Sequence, residues 1–252
     1  MSPIYALGPE VAFPPVEEAD GSGLLAVGGD LSAKRLLLAY SLGIFPWYED
    51  EQPILWHAPD PRMALAPSDL RVSRSLARTL RRGRFELRLD TAFQAVVRAC
   101  AEAPRKGEPG TWITDDMIEA YCRLHELGFA HSVESWQTGE LVGGLYGVSL
   151  GGCFFGESMF ARQRDASKAA LVGLVRQIEA WGFDLLDCQM HTDHLARLGA
   201  RERPRREFTR ALQASLEKQT RRGAWRFDPA VLDALSQLRA VKLALSARCA
   251  DP

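Results

Sequence analysis

Residues 131–157 read H-S-V-E-S-W-Q-T-G-E-L-V-G-G-L-Y-G-V-S-L-G-G-C-F-F-G-E. Three strand-like runs, the first alternating, are parted by T-G-E and G-G, both tight-turn signals, so the stretch predicts an antiparallel meander. A long amphipathic helix is expected over about 166–181, with Leu171, Leu174, Val175 and Ile178 on its apolar face. After Gly182 comes a short buried strand, D-L-L-D-C-Q-M. Meander, helix, strand, helix is an α+β order, with an antiparallel or mixed sheet covered by helices.

Working outward, a basic helix near 73–83 leads to a strand at 85–89 and a helix at 91–103. Thr114 caps the next helix, places Asp115 and Asp116 against its dipole, and Gly128 ends it. Helices near 192–198, 205–218 and 229–246 close the chain. The first sixty residues are different: rich in Gly and Pro, with one helix at about 32–42 between Ser32 and Gly43. The segments I-F-P-W-Y and I-L-W-H-A-P-D-P-R are extended, because their prolines forbid helix. The organisation expected is a small irregular N-terminal lobe, 1–62, and a larger domain, 63–252, with a helical tail from about 225.

A chain of 252 residues buries roughly 70–75% of its unfolded surface and needs no staples. With 46% hydrophobic and 25% charged residues it is neither disordered nor collagen-like nor membrane-embedded. Its five cysteines form no C-x-x-C pair, which indicates free thiols in a reducing compartment. The N-terminus lacks a signal-peptide pattern, and the greasiest stretch, 36–47, is broken by Ser41, Gly43 and Pro46. No membrane association and a cytoplasmic location are expected.

The net charge of −1 is unevenly spread. Residues 1–60 carry −7, 61–88 carry +6 and 197–252 carry +7. Seven arginines fall within 71–88 beside one acid, a pattern that points to a polyanion such as nucleic acid. Solvated helix faces are the plainer reading of any one of them.

Several motif matches fail on context. Gly147, Ser149 and Gly151 fit a nucleophile elbow but lie inside a hairpin. The G-x-G-x-x-A at 21–26 opens no helix, and no G-x-x-x-x-G-K-S/T exists. Cys188, His191 and His194 would have to turn from strand to helix to share a zinc ion, so the histidines read as helix-start residues and no metal is expected.

Polar groups in apolar settings say more. Asp187 and Gln189 flank Cys188 on a short strand, so strand alternation puts their side chains on one face. Burying both is costly unless they bond each other or a ligand. Glu157 ends another apolar strand, and Trp47 and Trp112 sit in loops where an indole can carry a stacked base. Core hydrogen bonding, an ordinary strand-end charge and loop packing are the plainer alternatives. Acids at strand ends, loop tryptophans and an Arg-rich helix together describe a site for the end of a nucleic acid.

The strings L-L-A-V-G-G-D-L-S, G-I-F-P-W-Y, P-I-L-W-H-A-P-D-P-R, G-T-W-I-T, Y-C-R-L-H-E-L-G-F-A-H-S-V-E, F-G-E-S-M-F and D-C-Q, in this order, resemble the leucyl/phenylalanyl-tRNA–protein transferase family from about 13 to 206. The resemblance implies a C-terminal domain similar to the acyl-CoA N-acyltransferase (GNAT) fold. It implies transfer of Leu or Phe, and less readily Met, from tRNA to proteins with N-terminal Arg or Lys, marking them for degradation. No cofactor is implied. The sequence also lacks the R/Q-x-x-G-x-G/A loop that cradles CoA pyrophosphate before the 166–181 helix.

By the same resemblance, Trp47 and Trp112 hold the terminal adenosine. Leu145, Phe154, Met159 and Leu174 line the aminoacyl pocket, with Leu145 and Leu174 replacing the Met and Phe of the family pattern. Glu157 receives the acceptor, and Asp187 and Gln189 are catalytic. Arg74, Arg78, Arg81, Arg82 and Arg84 grip acceptor-stem phosphates, and the protein acts as a monomer. For the chemistry, Asp187 is expected to accept a hydrogen bond from the Gln189 amide, turn its carbonyl toward the attacking amine, and take the proton through that contact or a water. A CoA-dependent N-acyltransferase and a non-catalytic RNA-binding module are the competing readings. Peptidoglycan-bridge aminoacyl transferases are longer and duplicated, and no duplication is visible here.

Overall fold

The computed structural model describes residues 4–103 and 113–238. Its first sixty residues build a four-stranded sheet from β1 (Tyr5–Leu7), β2 (Leu24–Gly28), β3 (Phe45–Pro46) and β4 (Leu55–His57), in the order β1-β2-β4-β3. Strands of two to five residues are too short to leave a period in the sequence. Helix α1 (Ala33–Ser41) starts where the Ser32 hydroxyl accepts the Arg35 N–H. It stops before Gly43, whose φ of +78° suits glycine.

The second sheet has seven strands, ordered β11-β5-β10-β9-β8-β7-β6. They are β5 (Arg62–Leu65), β6 (Glu86–Leu89), β7 (Ala130–Gln137), β8 (Glu140–Leu150), β9 (Cys153–Ala161), β10 (Leu185–Gln189) and β11 (Arg201–Arg203). The expected meander is β7-β8-β9. Neighbouring strands run antiparallel except β9 and β10, which are parallel.

Helices cover both faces. With α1, the helices α3 (Phe93–Ala101), α4 (Asp115–Glu126) and α7 (Arg205–Leu216) bury one face. The other face is covered by α2 (Arg74–Arg81), α5 (Ala166–Ala180) and α8 (Pro229–Ser236). Alternation along β9 feeds both cores: Cys153 and Phe155 join the first, Phe154 the second. Helix α5 lies so close to β8 that a Cβ on Gly143 would come within 2.5 Å of the Ala166 Cβ. Leu25, Leu36, Tyr40 and Trp56 from the N-terminal segment pack in the same cluster as Val96, Val148 and Phe155.

The described part of the tail, 225–238, is packed into the body of the protein. Trp225 is 2% exposed, its indole lies 3.7 Å from the His131 ring, and its backbone N–H donates to Asp90. Val231 and Leu235 enter the second core. Of the helix expected over 229–246, residues up to 238 are described, and α8 occupies 229–236.

The strand pair β9–β10 opens. Leu185, Leu186 and Asp187 are in register with Cys153, Phe154 and Phe155, after which the parallel pairing stops. Beyond that point β9 continues to Ala161 against β8 alone. On β10 the register against β5 slips between Asp187 and Gln189, and Gln189 takes φ of +60°. This bulge bends β10 away from β9.

Candidate active site

A cavity of about 470 Å³ fills the opening between β9 and β10. Leu145, Phe154, Met159 and Leu174, the four residues expected to take the aminoacyl side chain, all line it. Leu171, Leu186, Met190 and Leu195 complete the apolar walls. These were missed because an apolar residue on an amphipathic helix or buried strand carries no sign of which cavity it walls. Trp47 lies at the same cavity, 39% exposed, with its ring edge-on to His57 at 5.6 Å. Trp112 lies outside the described residues.

Glu157, Asp187 and Gln189 also line the cavity, but they are wired differently from the expectation. The Gln189 amide does not donate to Asp187: its Nε2 donates to Glu157 Oε1 at 2.9 Å, across the opening. Asp187 instead accepts Arg62 Nε at 2.9 Å and Nη2 at 2.7 Å. It also accepts the Gln189 backbone N–H at 2.9 Å. The bulge at Cys188 is the cause. An extra residue between two positions removes the alternation that would have put them on one face.

Arg62 and Asp187 are both buried, and the guanidinium lies 4.7 Å from the Phe45 ring centre and 4.9 Å from that of Phe208. Sequence reasoning counted Arg62 among the basic residues of 61–88. The usable signal was its place at the head of the apolar strand R-M-A-L.

Glu157 closes a chain of hydroxyls. Tyr121 donates to Glu157 Oε2 at 2.7 Å, and the Tyr40 hydroxyl lies 2.5 Å from that of Tyr121. Burial pushes the Glu157 carboxyl up to about 7, opposed by its hydrogen bonds from Tyr121, Tyr40 and Gln189 and reinforced by the nearby Asp187 charge. Burial and the same carboxylate hold both tyrosines well above their usual range, so they remain hydroxyl donors at neutral pH.

On α2, Leu76, Ala77 and Leu80 face the core, while Arg74, Arg78, Arg81, Arg82 and Arg84 are exposed on the helix and the turn after it. Arg81 donates to the Leu238 carbonyl at 2.7 Å, and Arg84 lies over the Phe85 ring. Among the described residues Arg74, Arg78 and Arg82 have no ion pair. Helix α2 packs on α5, the helix that carries Leu171 and Leu174 to the cavity.

Thr192 caps α6 (Asp193–Arg197), which places His191 and His194 at its start. Burial lowers His194, and burial pushes the Cys188 thiol well up. Among the described residues no group of three or more His, Cys, Asp or Glu is placed to hold a metal ion. None of the described helices is long and apolar enough to cross a membrane.

Residues 64–213 match the leucyl/phenylalanyl-tRNA protein transferase family, and residues 29–60 match the N-terminal domain of that family. A leucyl/phenylalanyl-tRNA–protein transferase of Myxococcus xanthus is 58% identical over 225 residues, covering 88% of this chain and 96% of that protein. One of Nitrosospira multiformis is 59% identical over 224 residues, again 88% and 96%. Solved structures are more distant. L-PGS from Bacillus licheniformis aligns at 12% identity and a TM-score of 0.38, over 84% of this chain and 71% of that one. A GCN5-related N-acetyltransferase from Kribbella flavida aligns at 13% and 0.34, over 67% and 60%. With a match across more than half its length and relatives aligned almost end to end, the chain belongs to the leucyl/phenylalanyl-tRNA–protein transferase family.

Proposed function

We propose that the protein is an aminoacyltransferase that moves Leu or Phe, and less readily Met, from aminoacyl-tRNA to the N-terminal Arg or Lys of acceptor proteins. The product is an N-terminus that marks the acceptor for degradation, and the enzyme works as a cytoplasmic monomer. The observation that carries this reading is the cavity. Its walls are largely apolar, Glu157, Asp187 and Gln189 meet at the opening between β9 and β10, and an exposed indole sits against it.

An aminoacyl ester is already activated, so aminolysis needs neither a covalent enzyme intermediate nor a metal. It needs a neutral α-amine aligned on the carbonyl, and a proton for the departing ribose oxygen. The apolar walls formed by Leu145, Phe154, Met159 and Leu174 take the side chain of the donor. One methylene changes binding by only about 1–3 kcal/mol in such a pocket, which suits Leu, Phe and Met together. Trp47, with Trp112, stacks the terminal adenosine, and the α2 arginines follow the acceptor-stem phosphates without reading bases.

Glu157 meets the N-terminus of the acceptor. With its NH₂ held by Glu157, Gln189 turns its side-chain carbonyl to the remaining space, where the amine arrives. Asp187 serves this arrangement from behind, by fixing the Gln189 backbone in its left-handed conformation. The division at residue 62 reflects two roles: the N-terminal lobe brings Trp47, and the larger domain brings the reacting groups.

The test mixes purified protein with labelled Leu-tRNA, Phe-tRNA or acetyl-CoA and acceptors beginning with Arg or Ala. Label passing from the tRNAs to the Arg acceptor alone is expected. Label passing from acetyl-CoA would make the protein a CoA enzyme, and salt-sensitive tRNA binding without transfer would make it an RNA-binding module.

A further inference from the structure

We propose that Glu157 takes the proton from the attacking α-amine and returns it to the departing ribose oxygen, while Arg62 and Asp187 form a positioning pair that stays out of proton transfer. The proposal rests on the transfer reaction above and assigns its proton path.

Asp187 is the more obvious base, and its surroundings disqualify it. Both of its oxygens accept bonds from Arg62, and Oδ1 also holds the Gln189 N–H. A proton added there would break a fully buried ion pair and strand a guanidinium between two phenyl rings. Gln189 is an amide and too weak a base.

Glu157 has the opposite surroundings. Among the described residues no cation pairs with it, it lines the cavity, and its partners there are neutral donors that bond the carboxylate without preventing protonation. The groups facing it are Tyr40 from α1 and Tyr121 from α4, which Tyr146 from β8 adjoins, and Asp187 and Gln189 from β10, with Arg62 behind Asp187. Burial among them brings the carboxyl close to neutrality, where one group can both accept and give up a proton at working pH.

The step balances. The neutral amine nitrogen forms a bond to the ester carbonyl carbon, and one N–H proton passes to the Glu157 carboxylate. As the carbon–oxygen bond to the ribose breaks, that proton passes to the ribose oxygen. The products are an amide, a free hydroxyl and the original carboxylate.

The test measures single-turnover transfer from saturating Phe-tRNA across pH 5.5–9. It uses an Arg-initiated peptide and a second peptide whose α-amine is replaced by the much less basic aminooxy group. The wild-type rate is expected to rise through a limb near pH 7 that stays in place with the aminooxy peptide. Glu157→Gln is expected to lose the limb and to slow transfer about 10²- to 10⁴-fold at unchanged tRNA affinity. Asp187→Asn, and His194→Gln on the cavity wall, are expected to keep it. Arg62→Lys, which preserves the charge but not the two-pronged grip, is expected to keep the limb and lower the plateau without changing KM for tRNA.

Tyr121→Phe gives a reading that does not depend on Glu157→Gln folding. It removes a bond that favours the carboxylate and is expected to move the limb to higher pH. A limb that survives Glu157→Gln, follows the basicity of the acceptor or ignores Tyr121→Phe overturns the proposal. A wild-type protein that transfers nothing overturns the reaction itself, a separate and recognisable failure.

Discussion

Arg62 and Asp187 face each other inside the protein, joined by hydrogen bonds of 2.9 and 2.7 Å, with the arginine 1% exposed and the aspartate not at all. Removing one partner of such a pair leaves an uncompensated buried charge, which costs about 3–5 kcal/mol. Arg62→Met should therefore lower the urea midpoint sharply. Replacing both partners with apolar residues of similar volume, Arg62→Met with Asp187→Leu, should recover much of the loss. Equal destabilisation by the single and double variants would contradict this account.

Glu157 makes a second prediction about stability, opposite in sign to that of a salt-bridged acid. Its folded value of about 7 lies above the ordinary 4.5, so across that window the folded protein holds a proton that the unfolded chain has released. Stability is fully present below the lower value and declines as pH rises through the upper one. Glu157→Gln removes the dependence. The shift bounds the gain at pH 8 at about 3 kcal/mol, less whatever the lost charge-assisted bonds contributed. Thermal unfolding of both proteins at pH 5 and pH 8 checks it: the variant should gain on the wild type at the higher pH.

The exposed arginines of α2 should act on binding and leave folding alone. If three to five phosphates are neutralised, the log–log slope of tRNA affinity against salt is about −2 to −4. Arg78→Glu with Arg82→Glu should flatten that slope by about one to two and change unfolding free energy by no more than about 0.5 kcal/mol. Filter binding between 50 and 200 mM salt measures the first, and a salt-insensitive wild type would remove the arginines from the interface.

Trp47 should behave differently from the arginines. Its indole is 39% exposed, so truncation opens little of the core. Trp47→Ala should weaken binding of an aminoacyl-adenosine by about 1–3 kcal/mol, roughly 5- to 150-fold, through lost stacking. The salt slope for whole tRNA should not change. A changed slope with unchanged adenosine binding would assign Trp47 to the phosphates.

The elements were legible where the local signal was strong. T-G-E and G-G gave away the meander, Ser32 and Thr114 marked their helix starts, and the apolar stripe of 166–181 marked α5. The four pocket residues converge because one lies on β8, two on β9 and one on α5, elements that meet at a single opening. The wiring of the polar groups was not legible. L-L-D-C-Q reads as a regular strand, and nothing in those five letters marks the bulge that turns Gln189 from Asp187 toward Glu157. Arg62 was hidden for a different reason. Counting charge along the chain cannot separate an arginine folded between two phenyl rings from seven that follow it toward solvent.

The chain crosses from one sheet to the other between residues 57 and 62, yet no seam in the packing follows that crossing. Leu25, Leu36, Tyr40 and Trp56 share a hydrophobic cluster with Val148 and Phe155, and Tyr40 reaches Glu157 through Tyr121. The two segments thus share one hydrophobic core and are expected to unfold together, despite their separate strands. A fragment beginning at 63 would present a bare apolar face to water and lose the outermost hydroxyl of the chain that bonds its carboxylate. A loosening of the first sixty residues, far from any reacting atom in sequence, would register as a change in acidity at the centre of the molecule.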